Sequence, residues 1–94
     1  MNTRNYIEVL DGKLNIVGKN IQKCRENLGF SRQFFSDRLM NIGVDISAQS
    51  VYDIENGTRT VADYELAAIS RVLKTTSDLL MKEFYDYIDN IQEN

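Results

Sequence analysis

Residue types that build reactive sites are scarce in this chain. Its 94 residues include no histidine and a single cysteine, Cys24. Zinc sites rely on histidine and cysteine ligands, and a serine hydrolase triad needs a histidine base, so the chain has almost no residues for either. We therefore expect a protein that is not an enzyme and that holds no metal or cofactor. A lone cysteine also makes no internal disulfide, which is typical of a reducing compartment.

Proline is absent as well, and no apolar run approaches the ~20 residues that a membrane-spanning helix needs. The N-terminus also lacks the apolar stretch of a secretion signal. We expect a cytoplasmic protein with no membrane contact. The absence of proline and the weak strand-type alternation favour an all-α chain. A length of 94 residues with 43% hydrophobic content suits one small domain.

Charge is unevenly distributed along the chain. The net charge is −3, yet residues 13–38 carry six cations and two anions, a local charge of +4. From residue 75 to the end there are five carboxylates and one lysine, a local charge of −4. Such a dipolar chain can present a basic face to phosphate while its tail points away. Both runs can equally be solvated helix faces, and for the acidic tail we favour that interpretation.

Residues 46–59 contain a short helix with recognisable ends. Ser47 is a good N-cap, because its hydroxyl can accept from a free backbone N–H, and Gly57 can adopt the left-handed conformation that ends a helix. Val51 and Ile54 lie three residues apart on one face. Two apolar residues are too few to stabilise so short a helix alone. We expect it to dock on a neighbour and to leave its polar N-terminal face free.

A second capped helix precedes this one. It begins at Ser31, runs through Phe35 and Leu39, and is joined to the next helix by a glycine-containing turn at residues 41–46. Two short helices joined in this way describe a helix-turn-helix, whose second helix enters the DNA major groove. Many small helical domains contain such a pair, so the pattern alone leaves DNA binding as one interpretation among others.

Three more helices are predicted from apolar spacing and end signals. The first covers residues 16–28 before Gly29 and buries Val17, Ile21, Cys24 and Leu28; the fourth covers 62–73 and buries Leu66, Ile69 and Leu73; the fifth is capped by Thr76 and carries Leu80, Phe84, Ile88 and Ile91. Residues 1–14 can form a short helix or strand. We expect an N-terminal extension at 1–15, a domain at 16–81 and a helical extension at 82–94.

In four places, taken in order, the chain resembles one family of regulators. They are Val17-Gly18-Lys19-Asn20-Ile21 with Arg25; Gly29 to Gln33 with Phe35, Ser36 and Leu39; Ser47 to Arg59, including Ile54-Glu55-Asn56-Gly57; and Asp63 to Ile69 with Leu73 and Asp78-Leu79-Leu80. Together they make residues 16–81 similar to the lambda-repressor-like helix-turn-helix domains of the Xre/Cro type, common in bacterial and phage regulators. The resemblance implies a five-helix DNA-binding domain, here with an extended C-terminal helix and a short N-terminal extension.

Three departures from the family pattern bear on the site. Arg32 stands where the family usually has glutamine, Phe34 stands where a polar residue is usual, and the turn at 41–46 is longer than the common version. Arg32 can replace an amide contact by attraction to phosphate. An exposed Phe34 can serve a partner or the N-terminal segment. The resemblance also implies an ion pair between Arg25 and Glu55 that ties the first helix to the third.

The resemblance further implies which side chains face DNA. Base-reading residues are expected on the third helix, namely Ala48, Gln49, Ser50 and Tyr52. The Gln49 amide can bond adenine N6 and N7, and its alternative is a solvated surface glutamine; Tyr52 can instead pack on a neighbouring element. Phosphate contacts, which set register rather than sequence, are expected from Arg32, Gln33, Asn56, Thr58, Arg59 and Lys19.

Two functions are compatible with these features. The first is a transcriptional regulator, expected to be a repressor and a homodimer, that reads double-stranded DNA with the helix at residues 47–56. The second is a protein-interaction module on the same scaffold, such as an antitoxin or a regulator bound by a protein or peptide, for which Phe34 and the acidic tail would be the contact surfaces. Steep weakening by salt would distinguish the first from the second. The stripe of the fifth helix can form a two-fold interface, or it can cover the domain's own core or the N-terminal segment.

Overall fold

The computed structural model describes the chain from residue 5 to residue 93, with side chains described to residue 91. Those residues form helices and turns, with no strand, which confirms the all-α expectation. The helices are α1 (Tyr6–Leu10), α2 (Gly18–Asn27), α3 (Arg32–Asn41), α4 (Ala48–Asn56), α5 (Asp63–Val72), α6 (Ser77–Leu80) and α7 (Lys82–Glu93). One difference separates this layout from the five expected helices, because the expected fifth helix is divided into two. The N-terminal extension contains a helix, which is one of the two alternatives named for it.

Helix ends follow the capping chemistry expected from the sequence. Ser31, Ser47 and Thr76 have extended backbones, and their hydroxyls accept from the backbone N–H three residues further on. Gly57 ends α4 with a φ of +79°, in the left-handed region that glycine adopts without Cβ strain. Local signals therefore predicted the start of α3 and both ends of α4.

The start of α2 lies further along the chain than apolar spacing predicts. The helix begins at Gly18 and not at Ile16. Asn15 is the cause, because its Oδ1 accepts from the backbone N–H of Val17 at 3.0 Å and of Gly18 at 2.8 Å. These are free N–H groups of the first helical turn, which need a partner outside the helix. No role was predicted for Asn15.

One hydrophobic core lies among α2, α3, α4, α5 and α6. Its fully buried members are Val17, Ile21, Phe35, Leu39, Ile46, Val51, Ile54, Ile69, Leu73 and Leu80. Fully burying one such aliphatic side chain contributes about 1.5–3 kcal/mol. Three expected core residues differ: Leu28 is exposed, and Cys24 and Leu66 are half-buried. Leu28 is the C-cap of α2 and is 37% exposed.

The break between α6 and α7 corrects the expectation of one continuous fifth helix. In a continuous helix the Leu80 carbonyl would accept from the N–H of Phe84. Instead it accepts from the Asn20 side-chain amide at 3.0 Å, and the Phe84 N–H donates to the carbonyl of Met81 at 3.0 Å. The Asn20 side chain, on α2, therefore donates a hydrogen bond to the carbonyl at which the helix is interrupted.

The N-terminal helix packs on the C-terminal one. The ring centroid of Tyr6 lies 4.7 Å from that of Phe84 and 4.8 Å from that of Tyr87. Burial raises the pKa of the Tyr6 hydroxyl, and the nearby Glu83 carboxylate raises it further. Two of the alternatives for the stripe of the expected fifth helix are observed: Leu80 is buried in the domain's core, and Phe84 packs on the N-terminal segment. The stripe still leaves Ile91 40% exposed.

Candidate nucleic-acid interface

The helix-turn-helix consists of α3, a turn at residues 42–47, and α4. Val51 and Ile54 are each 1% exposed, so α4 is docked on the core by the two predicted anchors. The turn is attached to α3, because the Ser36 hydroxyl donates to the Ile46 carbonyl at 2.6 Å. Val44 is held in the same way, since its N–H donates to the Leu39 carbonyl at 3.0 Å. The long turn therefore has its own hydrogen bonds to α3.

The predicted base-reading residues lie in the N-terminal half of α4. Gln49 and Tyr52 are exposed, and Ala48 and Ser50 are half-buried. Gln49 is not free, because its Nε2 donates to the Asp53 carboxylate at 3.1 Å across one helical turn. The Ser50 hydroxyl accepts from the Ser47 hydroxyl at 3.1 Å, inside the N-cap. Asp53 occupies one N–H of the Gln49 amide, which leaves the second N–H and Oε1 for a base.

Behind α4 one buried carboxylate joins three helices. Glu55 Oε2 accepts from Arg25 Nε at 2.6 Å, Glu55 Oε1 accepts from Arg25 Nη2 at 3.1 Å, and the same oxygen accepts from Arg32 Nε at 3.0 Å. The Glu55 side chain is fully buried and that of Arg25 is 7% exposed. Hydrogen bonding to Glu55 raises the pKa of the Arg25 guanidinium. The expected Arg25–Glu55 pair is confirmed.

Arg32 also lies against the face of Tyr52. Its guanidinium carbon is 5.0 Å from the centre of the Tyr52 ring, within the range of a cation–π contact. Arg32, predicted as a phosphate contact, is thus held at Nε by Glu55 and on one face by Tyr52. Its side chain remains 35% exposed, and its two Nη atoms have no hydrogen-bond partner among residues 5–93. Tyr52 does pack on a neighbouring element, the alternative named for it.

Past α4, Arg59 is bound to the start of α5. Its Nη1 and Nη2 donate to the two carboxylate oxygens of Glu65 at 3.1 and 2.9 Å. Glu65 also accepts from the Ala62 N–H at 2.9 Å. The pair raises the pKa of Arg59 and lowers that of Glu65, in each case mainly through the side-chain hydrogen bonds. Arg59 therefore has a structural partner, Glu65, that was not predicted.

The remaining predicted phosphate contacts lie at the edges of this surface. Gln33 is exposed in the first turn of α3 and donates to Asp37 at 2.9 Å. Asn56 and Thr58 are exposed at the exit of α4, where the Thr58 hydroxyl donates to the Asp53 carbonyl at 3.2 Å. Lys19 is exposed on α2.

Two residues that the prediction missed carry readable signals. Glu65 stands three residues after Ala62 and accepts from its N–H, as the glutamate of a capping box does, but alanine has no hydroxyl to complete the box. Asn15 stands just before an apolar-spaced run, where a polar side chain indicates a helix start. Neither signal identifies the distant partner, Arg59 in the first case and the end of α4 in the second.

Within residues 5–93 no group of three or more histidine, cysteine, aspartate or glutamate side chains is arranged to hold a metal ion. In the same part of the chain, no helix has the length and hydrophobicity required to cross a bilayer.

Comparison with known proteins gives a family for this arrangement. A family model described as helix-turn-helix matches residues 21–80, from the first turn of α2 to the end of α6 and well over half of the chain. A comparison with curated proteins gave no match. The matched segment includes α3, the turn and α4 in full, as well as Arg25 and Glu55. The chain belongs to the Xre/lambda-repressor-like helix-turn-helix family, whose members are DNA-binding regulators and typically not enzymes.

Proposed function

We propose that this regulator binds double-stranded DNA sequence-specifically in the cytoplasm, with α4 in the major groove, and that it acts as a repressor. The observation that carries the proposal is the division of α4 into two faces. Val51, Ile54 and Glu55 are buried, whereas Gln49 and Tyr52 are exposed on the opposite side. A helix docked by one face and polar on the other can enter a groove without losing core contacts.

Gln49 is the base-reading residue that we expect to discriminate most. Its amide can donate to adenine N7 and accept from N6–H, a bidentate contact that contributes about 1–3 kcal/mol of discrimination. Asp53 holds this amide in the free protein, 3.1 Å from Nε2, and keeps the side chain along the helix. Ala48 can touch a thymine methyl group. Ser50 can bond a base edge once its hydroxyl turns out of the N-cap.

In this proposal Tyr52 contacts DNA, and its ring is held in position by Arg32. The Arg32 guanidinium lies over its ring, and Glu55 holds that guanidinium in turn. Because Arg32 keeps two Nη atoms free of hydrogen-bond partners among residues 5–93, it can donate to a phosphate without leaving Glu55. Arg32 thus both orients Tyr52 and contacts the backbone.

The other phosphate contacts flank α4 on both sides. Gln33 lies at the start of α3, and Asn56, Thr58, Arg59 and Lys19 lie toward the exit of α4. Arg59 donates to Glu65 and to the Thr60 carbonyl through three of its five N–H groups, so two remain for a phosphate oxygen. We expect Arg59 to contribute to affinity without affecting sequence preference.

The direct test is selection of bound fragments from random duplex DNA, followed by affinity measurements on the selected site and its variants. Gln49→Ala should relax one base position, whereas Arg59→Ala should weaken all sequences similarly. Gln22→Ala is a matched control, because Gln22 makes the same one-turn bond to a carboxylate, Glu26, and is not among the proposed contact residues. Recovery of no common sequence, or an unchanged preference for Gln49→Ala, would contradict the base-reading assignment.

We further propose that two copies bind two half-sites about one helical turn apart. Exposed apolar surface on α7 supports this, because Ile91 of the stripe and the nearby Tyr85 are each 40% exposed after α1 has packed on the helix. Light scattering during size-exclusion chromatography should give a dimer mass at micromolar concentration or on operator DNA. A monomer under both conditions would exclude this arrangement.

A protein-interaction role is the second candidate, and one patch favours it. Phe34 is 43% exposed, lies edge-on to Phe30 at 4.8 Å, and is covered in part by the Arg38 guanidinium at 5.8 Å. This patch and the acidic α7 would be the docking surfaces for a protein or peptide.

Salt dependence distinguishes the two functions. DNA affinity should fall steeply between about 50 and 200 mM salt, because several phosphate contacts release counterions. Shallow salt dependence with retained partner binding would favour this second role.

A further inference from the structure

The segment before α2 is attached to the exit of α4. The Leu14 N–H donates to the Gly57 carbonyl at 2.8 Å. The Asn15 amide donates to the carbonyls of Ile54 at 3.0 Å and Arg59 at 2.8 Å. Three hydrogen bonds over two consecutive residues place this segment alongside the last turn of α4 and the loop that follows it.

Lys13 lies directly on Gly57. A Cβ atom added to Gly57 would fall 2.8 Å from Lys13 Cγ and 3.1 Å from both Cβ and Cδ, closer than carbon atoms pack. Glycine at this position therefore serves two purposes, the left-handed end of α4 and the close approach of the Lys13 stem. The stem of this lysine crosses the residue that precedes Thr58, at the exit of the proposed reading helix.

Lys13 shares a cleft with two other lysines. Lys13, Lys19 and Lys23 line a cleft of about 360 Å³ between α1, α2 and the exit of α4. None of the three ammonium groups has an ion-pair or hydrogen-bond partner within residues 5–93. An ammonium group without a carboxylate partner is available to a phosphate oxygen.

Three carboxylates line the same cleft, and two of them have partners. Glu55 is neutralised by Arg25 and Arg32, and Glu83 accepts from the Asn20 amide at 2.6 Å. Asp11 is the third acidic residue of the lining. With Glu55 neutralised, three lysines face two remaining carboxylates, so this edge beside α4 keeps a net charge of +1.

We infer that Lys13, with Lys19 and Lys23, forms a phosphate-binding track beside the exit of α4, and that Lys13 contacts the DNA backbone. The inference rests on the proposed function, because it takes α4 to lie in the major groove. Phosphates border that groove on both sides, so cations fixed beside the exit of the reading helix meet the sugar-phosphate backbone. A lysine acts there as a mobile point charge, which suits a contact that sets register without reading sequence.

The test is the salt dependence of binding to the selected duplex. Each lost phosphate contact should lower the magnitude of the slope of log affinity against log salt by about 0.9. Lys13→Gln should therefore show that change, with an affinity about eightfold lower at ~0.1 M salt. Lys74→Gln is the charge-matched control, since Lys74 is exposed in the turn after α5, away from α4. Lys13→Arg should keep the wild-type slope.

The outcomes separate this inference from the proposal on which it rests. If wild-type protein shows no salt-dependent duplex binding, the proposed function and the inference both fail. If wild type binds but Lys13→Gln has the slope of Lys74→Gln, the inference alone is overturned. A thermal melt of each variant confirms folding, and Lys13→Glu provides a second readout, because a carboxylate there should reduce affinity further than glutamine does while the preferred sequence stays unchanged.

Discussion

Replacing Arg25 by alanine should destabilise the fold strongly. Arg25 donates two hydrogen bonds to Glu55, at 2.6 and 3.1 Å, and a third to the Phe30 carbonyl at 2.8 Å. The alanine variant leaves a fully buried carboxylate with Arg32 as its sole cation, and Arg32 is 35% exposed. Breaking a buried ion pair from one side costs about 3–5 kcal/mol. Because Arg32 remains in place, we expect the lower end, about 3 kcal/mol.

Urea denaturation followed by circular dichroism measures this loss. A domain of this size has a total stability of roughly 5–14 kcal/mol and loses about 1.5 kcal/mol per molar urea, so the midpoint should fall by about 2 M. Arg71→Ala is the matched control, because Arg71 is an exposed cation on α5, and its midpoint should stay near that of wild type. Arg32→Ala should lower the free energy of unfolding by about 1 kcal/mol or less, so its midpoint should lie between those of Arg25→Ala and Arg71→Ala. An Arg25→Ala midpoint within about 0.3 M of wild type would refute the reasoning.

Three further outcomes are expected. Gly18→Ala places a methyl group against a backbone carbonyl of α4, so the free energy of unfolding measured in urea should fall by about 3 kcal/mol or more. Lys19→Ala, at the exposed neighbouring residue, should lower it by only about a few tenths of a kcal/mol. Arg59→Gln should lower the free energy of unfolding by about 1–2 kcal/mol at pH 7. The difference from wild type should shrink as pH falls below about 4, because the lowered pKa of Glu65 makes this pair stabilising only while that carboxylate is ionised. A difference that stays constant down to pH 3 would count against this role of the pair. Tyr6→Ala should speed amide exchange in α1 and lower stability by about 1 kcal/mol, whereas Tyr6→Phe keeps both ring contacts and should leave exchange unchanged; equal exchange in the two variants would exclude the packing role.

Local patterns were sufficient for much of the fold. The caps at Ser31, Ser47 and Thr76 and the left-handed Gly57 act within three or four residues, so their letters predict them. The anchors Val51 and Ile54 follow from helical spacing. At helix ends spacing alone was insufficient: Leu28, the C-cap of α2, is exposed, whereas Leu73, the C-cap of α5, is buried, because burial there depends on which element packs against the end.

The partners of the charged site residues could not be read in the same way. The sequence marks Arg32 and Arg59 as cations beside a reading helix, but each guanidinium is bound by a carboxylate, Glu55 or Glu65. Arg32 and Glu55 stand 23 residues apart, and no local spacing rule joins them. The Arg25–Glu55 pair was expected only because the chain resembles a family.

The sequence by itself determined the helix pair and the bounds of α4, because caps and apolar periodicity act over one or two helical turns. The candidates for reading DNA followed from the resemblance to a family. Tertiary structure alone decided how the start of α2 is attached to α4, where the last helix breaks, and which of the described cations remain free. Asn15 bonds carbonyls 39 and 44 residues away, and Asn20 captures one 60 residues away. Contacts of that kind form only after the helices have packed, since they depend on distances in space and not along the chain.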